Sequence, residues 1–169
     1  MTCVNPRDAR ILFDECLPRP FVTRLVEFLR PTEGEGPILS HLFDIAPPGT
    51  FDEVWIPRIK DEGWTVISAD GGRRPNKGRG KKLPQLCVDH GITLILLSPT
   101  VHNRKAFDKT RTILSVWDQI VAIAADPSRR GHRYMLEPSS AENAGVGRLV
   151  EKSLRPRPDA EKPNNTSDQ

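Results

Sequence analysis

The chain is poor in cysteine, with Cys3, Cys16 and Cys87 the full set of 3 among 169 residues and no C-x-x-C pair. An odd number at such spacing argues against a disulfide framework and against a cysteine-ligated zinc site, and a reducing compartment suits it best. No apolar run approaches the length of a bilayer span, and Met1 to Arg10 lacks the apolar core of a signal peptide, so the expectation is a cytoplasmic protein with no membrane contact. His41, His90, His102 and His132 are scattered without metal-ligand spacing. A nucleotide-binding loop is also missing, because Pro75 stands where the first glycine should precede Gly80-Lys81. Ser98 has no G-x-S-x-G around it, which argues against a serine hydrolase.

What is present begins with one dense charge feature. Gly71 to Lys82 holds Arg73, Arg74, Lys77, Arg79, Lys81 and Lys82 with no acid among them, whereas the whole chain is only +3. The remainder is therefore net negative. A mildly acidic body with one basic loop suits a polyanionic partner met at that loop, although a solvated Gly/Pro/Lys/Arg run explains the composition equally well. The length fits one domain with a single core.

Ile11-Leu12-Phe13 is a short apolar run that ends at Asp14-Glu15, with Pro18 restarting the chain in a helix. Phe21, Val22, Leu25, Val26, Phe28 and Leu29 give that helix a core face, closed by Pro31. A short strand is expected around His41-Leu42-Phe43. After Pro47-Pro48-Gly49, Thr50-x-x-Glu53 predicts a capping box, which occupies Glu53 and leaves Asp52 the freer acid. Pro57 should bend the helix, which is expected to reach about Glu62. Thr65 to Ala69 is a β-branched strand ending at Asp70, Leu83 to His90 a short helix, and Ile92 to Leu97 a strand apolar throughout, as expected when both faces are covered. Asn103 to Ala125 is predicted as the longest helix and His132 to Leu136 as a last strand at an edge.

Alternating strands and helices predict a three-layer α/β/α sandwich on a mostly parallel sheet of about five strands, with right-handed crossovers. The expected organisation is a loose leader over 1–9, a domain over 10–137 with the basic loop at 71–82, and a polar, disordered tail over 138–169.

In such a sheet, ligands bind at the C-terminal ends of the strands. Asp14 and Asp70 emerge there if their strands are parallel neighbours, and the helix opening at Asp52 begins above the same edge. Carboxylates gathered in one cleft repel one another unless a cation neutralises them, and an all-oxygen set points to Mg²⁺ or Mn²⁺. Such ions bind phosphates and activate water for attack at phosphorus. Glu15, on the next pleat position, should point away from Asp14. For any one of these acids, capping a turn in solvent is the simpler explanation; three at corresponding positions favour a metal site.

Ile-Leu-Phe-Asp14-Glu15-Cys-Leu-Pro18, Gly49-Thr-Phe-Asp52-Glu53 at a helix start, and Val-Ile-Ser-Ala-Asp70 after a strand resemble the PIN-like domains related to VapC-type toxins, over about Arg10 to Met135. The resemblance implies a metal-dependent nuclease, usually acting on RNA, with an α/β/α fold. By motif match Asp14, Asp52 and Asp70 hold the metal, and Glu53 competes for the middle position. It also implies an endoribonuclease of a toxin–antitoxin system, with an antitoxin protein as partner and a homodimer as a common assembly. Phosphate contacts from Arg73 to Lys82 do not separate RNA from DNA. The family's fourth acid has no counterpart: Gly71-Gly72 follows Asp70, and Ser98-Pro99-Thr100 follows the apolar strand, leaving Ser98 or Thr100 to hold a water. A catalytically degenerate binding module is the alternative. A receiver domain matches the acid pair, Asp70 and Ser98, but needs a lysine where Glu137-Pro138 stands.

Overall fold

The run Ile11-Leu12-Phe13 forms strand β1 (Arg10–Phe13), with all three apolar side chains buried. Strand side chains alternate between sheet faces; Ile11 and Phe13 accordingly enter one hydrophobic cluster and Leu12 the other. In the computed structural model, which describes residues 5–29, 36–71, 82–140 and 145–152, β1 lies inside a six-stranded sheet. The other strands are β2 (Ile38–His41), β3 (Trp64–Ser68), β4 (Thr93–Leu97), β5 (Arg133–Pro138) and β6 (Gly147–Glu151), in the spatial order β2-β1-β3-β4-β5-β6. The first five run parallel, and β6 pairs antiparallel to β5.

Helix α1 (Arg19–Leu29) packs Val22 and Leu25 on the face of Ile11, Phe13, Ile67 and Ile95. The same face receives α4 (Pro99–His102), α5 (Ala106–Leu114) and α6 (Trp117–Ala125) through Val101, Ile113 and Ile120. The opposite face receives α2 (Asp52–Ile59) and α3 (Leu83–Asp89), with Trp55, Ile56, Leu86 and Cys87 against Leu12, Val66 and Leu94. Sandwiched between them, β3 and β4 bury every residue. The three-layer α/β/α architecture expected from the sequence is present.

The uniform crossover hand is not. The steps β3 to β4 and β4 to β5 go the same way along the sheet. They pass through opposite faces, α3 on one and α4 to α6 on the other, so their hands are opposite. The preference for one hand comes from a twisted strand feeding one helix straight back onto the sheet. Three short helices in the last connection loosen that constraint.

Other expectations also need correction. The helix expected over Asn103 to Ala125 is broken at Ser115-Val116, where Val116 has φ −122° and ψ 15°. Ser115 Oγ donates to the Thr112 carbonyl at 2.8 Å and accepts the Gly147 N–H at 2.8 Å, so the break docks β6. β6 itself lies inside the stretch expected to be a polar tail, and it displaces β5 from the edge. Gly147 is required at its start, since a Cβ there would stand 2.7 Å from Leu136 Cδ1 and 3.0 Å from the Thr112 oxygen. In the expected leader, Pro6–Asp8 form a 3-10 turn against α6 and Ala9 is buried. β2 ends at His41, whose side chain accepts the Phe43 N–H and whose backbone N–H donates to Asp44, turning the chain into a 3-10 turn over Leu42–Asp44. Pro57 does sit inside α2, which ends at Ile59.

Candidate active site

Parallel strands bring their C-terminal ends to one edge, and Asp14 there directly follows β1 while its N–H continues the ladder to the Ile67 carbonyl at 3.0 Å. Asp14 is 5% exposed. Its Oδ2 accepts the Ser68 hydroxyl at 2.6 Å and its Oδ1 accepts the Glu15 N–H at 2.7 Å. Burial pushes its carboxyl above the usual range, and these two hydrogen bonds oppose the rise without cancelling it.

Ser68 is the hub of this edge. Fully buried at the end of β3, it holds Asp14 and also accepts the Asp70 N–H at 2.9 Å, so one hydroxyl sets a side chain on β1 and the backbone that carries the next acid. Cys16 closes the cluster, its Sγ accepting the Ala69 N–H at 2.9 Å and lying 3.4 Å from Ser68 Oγ. Burial first, and then the Asp14 charge, push the Cys16 thiol up to about 12.

Asp52 opens α2 without the predicted capping box. Phe51 is the residue before the helix and makes no side-chain cap, and Thr50 Oγ1 instead donates to the Pro47 carbonyl at 2.6 Å. The proline-rich turn offers the threonine a closer acceptor than the helix offers it a donor. Asp52 Oδ1 accepts the indole N–H of buried Trp55 at 3.1 Å, which fixes the carboxylate against the core. Its carboxyl is pushed up to about 6, by burial first, then by the charge of Asp14, with Asp70 and Glu53 adding to it. Asp52 therefore lies within electrostatic reach of both other acids. Glu53 is exposed. Glu15 turns away to another task, accepting the Gly49 N–H at 3.3 Å and tying the end of β1 to the turn before α2. Gly49 has φ +75°, a conformation that disfavours any side chain there.

Ser98 and Thr100 are placed differently from the acids. Ser98 lies at the same sheet edge after β4, but its Oγ accepts the Val101 N–H at 3.3 Å and caps α4; Thr100 is exposed on that helix. Lys82 is exposed just before α3, at the edge where Asp52 begins α2. Arg73, Arg74, Lys77, Arg79 and Lys81 lie outside the described residues.

Among the described residues, no group of three or more His, Cys, Asp and Glu side chains is arranged to hold a metal ion. The structure does gather Asp14, Asp52 and Asp70 closely enough for Asp52 to feel both partners' charges. Such a donor set fits a hydrated hard cation, which takes one or two carboxylates and keeps several waters, better than a closed protein cage.

Two contributors escaped the sequence reading, Ser68 and Trp55. Their signals were positional: a serine two residues before Asp70, and an indole three residues after Asp52 on the same helical face.

Residues 9–79 match the model of a family described as a PIN like domain. No curated protein and no solved structure gives a significant match. The matched stretch contains β1 to β3, Asp14, Asp52, Asp70 and the Ser68 hub. PIN-like domains are generally nucleases and usually use divalent metals. Among the described residues no helix is long and apolar enough to cross a membrane. Over residues 9–79, which build the acidic edge, the chain is similar to the PIN-like domain family.

Proposed function

We propose that this chain is a divalent-metal-dependent endoribonuclease, hydrolysing RNA phosphodiester bonds at the edge formed by Asp14, Asp52 and Asp70. The observation that carries it is the convergence of these acids, with the proton affinity of Asp52 raised by burial and further by the charges of the other two, inside the segment that matches the PIN-like family. A Mg²⁺ or Mn²⁺ ion bound there supplies positive charge at the phosphate and lowers the pKa of water. The chain contributes orientation. Ser68 fixes Asp14 and the Asp70 backbone, Trp55 holds one oxygen of Asp52 and leaves Oδ2 for a ligand, and Glu15 keeps the turn before α2 against β1. Lys82 and the basic residues before it suit the substrate backbone.

The likeness of the acid-bearing motifs to VapC-type toxins supports a toxin–antitoxin setting, in which a partner protein blocks the cleft. A second reading, a binding module that keeps the fold without catalysis, is favoured by one observation: the described residues hold no ready three-ligand group. The two part in a cleavage assay on mixed RNA and single-stranded DNA with Mg²⁺, Mn²⁺ or EDTA. The nuclease reading expects EDTA-sensitive cleavage, preferentially of RNA, that falls by about 10²-fold or more in Asp14→Asn and Asp70→Asn while both variants keep the wild-type circular dichroism. Full activity in either purified variant overturns it.

A further inference from the structure

The helices that cover the sheet do not cover all of it. Because α4 to α6 cross on the α1 face, the other face of β5 and β6 is covered by α2 and α3 only at its inner margin, where Met135 packs against their cluster. The antiparallel register puts Arg133, Met135 and Glu137 of β5 on that face with Arg148 and Val150 of β6 and with Lys152 just after it. None of the six is buried, in a sheet whose β3 and β4 bury every residue.

The charge on this face is unbalanced. Glu137 is its single acid and already pairs with Arg148 at 3.2 Å and Lys152 at 3.0 Å. Arg133 forms no ion pair with a described residue, and its Nε is buried without a hydrogen-bond partner. Arg133 also faces Lys152 directly across the ladder, where the Lys152 N–H donates to the Arg133 carbonyl at 2.7 Å. Like charges opposed across strands disfavour each other, and the one carboxylate that meets Lys152, Glu137, is shared with Arg148. Met135 and Val150 form an apolar pair at the centre, between the cations.

We propose that this open face of β5–β6 is a second nucleic-acid contact, in which Arg133, Arg148 and Lys152 grip the phosphodiester backbone of a strand whose scissile bond lies at the acidic edge. The face sits three strand spacings from β1, about 14 Å at ~4.8 Å each, within reach of one continuous strand. Its place in a reaction rests on the nuclease reading, but the contact itself is testable without cleavage.

The test is fluorescence anisotropy of a labelled single-stranded RNA of mixed sequence, bound to the full chain in EDTA across a series of KCl concentrations. Arg133→Gln/Arg148→Gln/Lys152→Gln is compared with a charge-matched control on other surfaces, Arg24→Gln/Lys60→Gln/Arg130→Gln, after thermal melts show both folded. The proposal expects the slope of log affinity against log salt to lose about 2 in the first variant, at ~0.7 per phosphate contact, and to hold in the control. An unchanged slope in the first variant overturns the proposal and leaves the face to an acidic protein. An equal loss in the control also overturns it, by reducing the effect to net charge. Binding that follows the expected pattern without any cleavage by the wild type would sustain this contact and sink the nuclease reading alone.

Discussion

Ser68→Ala removes one oxygen from a fully buried position and thereby disconnects two strands' acids. The lost bond is short, 2.6 Å, and its acceptor is a carboxylate oxygen of a residue 5% exposed. Hydrogen bonds to charged groups contribute about 1.5–3 kcal/mol, and the Asp70 N–H loses its acceptor as well, at about 1 kcal/mol because water can partly replace it. The expected destabilisation at pH 8 is about 3 kcal/mol, or ~6–12 °C in Tm for a domain of this size. The pH dependence identifies the cause. Asp14's folded carboxyl already lies above its unfolded value of 3.8, and the Ser68 bond is one of the forces pulling it down. Without that bond it rises further. A carboxyl raised by folding stabilises below its unfolded value and loses that contribution as pH rises through the folded one. The variant's deficit is therefore largest above both folded values. It shrinks towards about 2 kcal/mol, a neutral hydrogen bond to Asp14 and the Asp70 N–H bond together, once Asp14 is protonated in both proteins. Thermal or urea melts in EDTA at pH 8 and at acid pH measure it. A deficit of the same size at both would refute the role assigned to the ionised Asp14.

Asp52→Asn should stabilise the protein at pH 8 by about 1 kcal/mol, a figure discounted for the partial exposure of the site, because it removes a charge that burial disfavours and that Asp14 and Asp70 crowd, yet keeps an acceptor for the Trp55 indole. The wild type regains stability as pH falls through about 6 towards 3.8, so the variant's advantage should vanish there; melts that show a loss at pH 8, or a gain independent of pH, contradict this. Gly147→Ala should cost about 1–3 kcal/mol, since its Cβ would meet Leu136 and the Thr112 carbonyl, and amide hydrogen exchange should speed up in β6 and β5 before the rest of the sheet. Uniform exchange across the sheet would show that β6 does not depend on this close approach.

The strands that carry Asp14 and Asp70 were legible because burial on both faces demands continuous apolar runs, and Ile11 to Phe13 and Thr65 to Ser68 supply them. Asp52 could be put at a helix start because Pro47-Pro48-Gly49 breaks the chain just before it. What failed depends on partners far away in sequence. β6 has the mixed run Gly-Arg-Leu-Val-Glu, and it becomes a strand because Gly147 fits between Leu136 and Thr112 and the Arg129, His132 and Glu151 side chains tie its far end. The break at Ser115 is invisible to helical periodicity, since it serves an amide 32 residues later. Ser68 reads as an ordinary strand residue until Asp14, 54 residues earlier, is brought beside it. The capping box failed for the opposite reason, a local competitor: the Pro47 carbonyl captured the Thr50 hydroxyl.

The thiol beside Asp14 has a kinetic consequence. With the Cys16 thiol pushed up to about 12, only about one molecule in 10⁵ presents a thiolate at neutral pH while the site is closed. Cys87, on the buried side of α3 over the opposite face, is pushed up as well. Alkylation of either thus proceeds through openings that restore ordinary acidity, and its rate is the opening equilibrium multiplied by the rate of a free thiol. In a chain with Cys3 replaced, the two labelling rates report separately how often the acidic edge and the α2–α3 layer come apart, so a ligand that closes the edge slows the first and leaves the second unchanged.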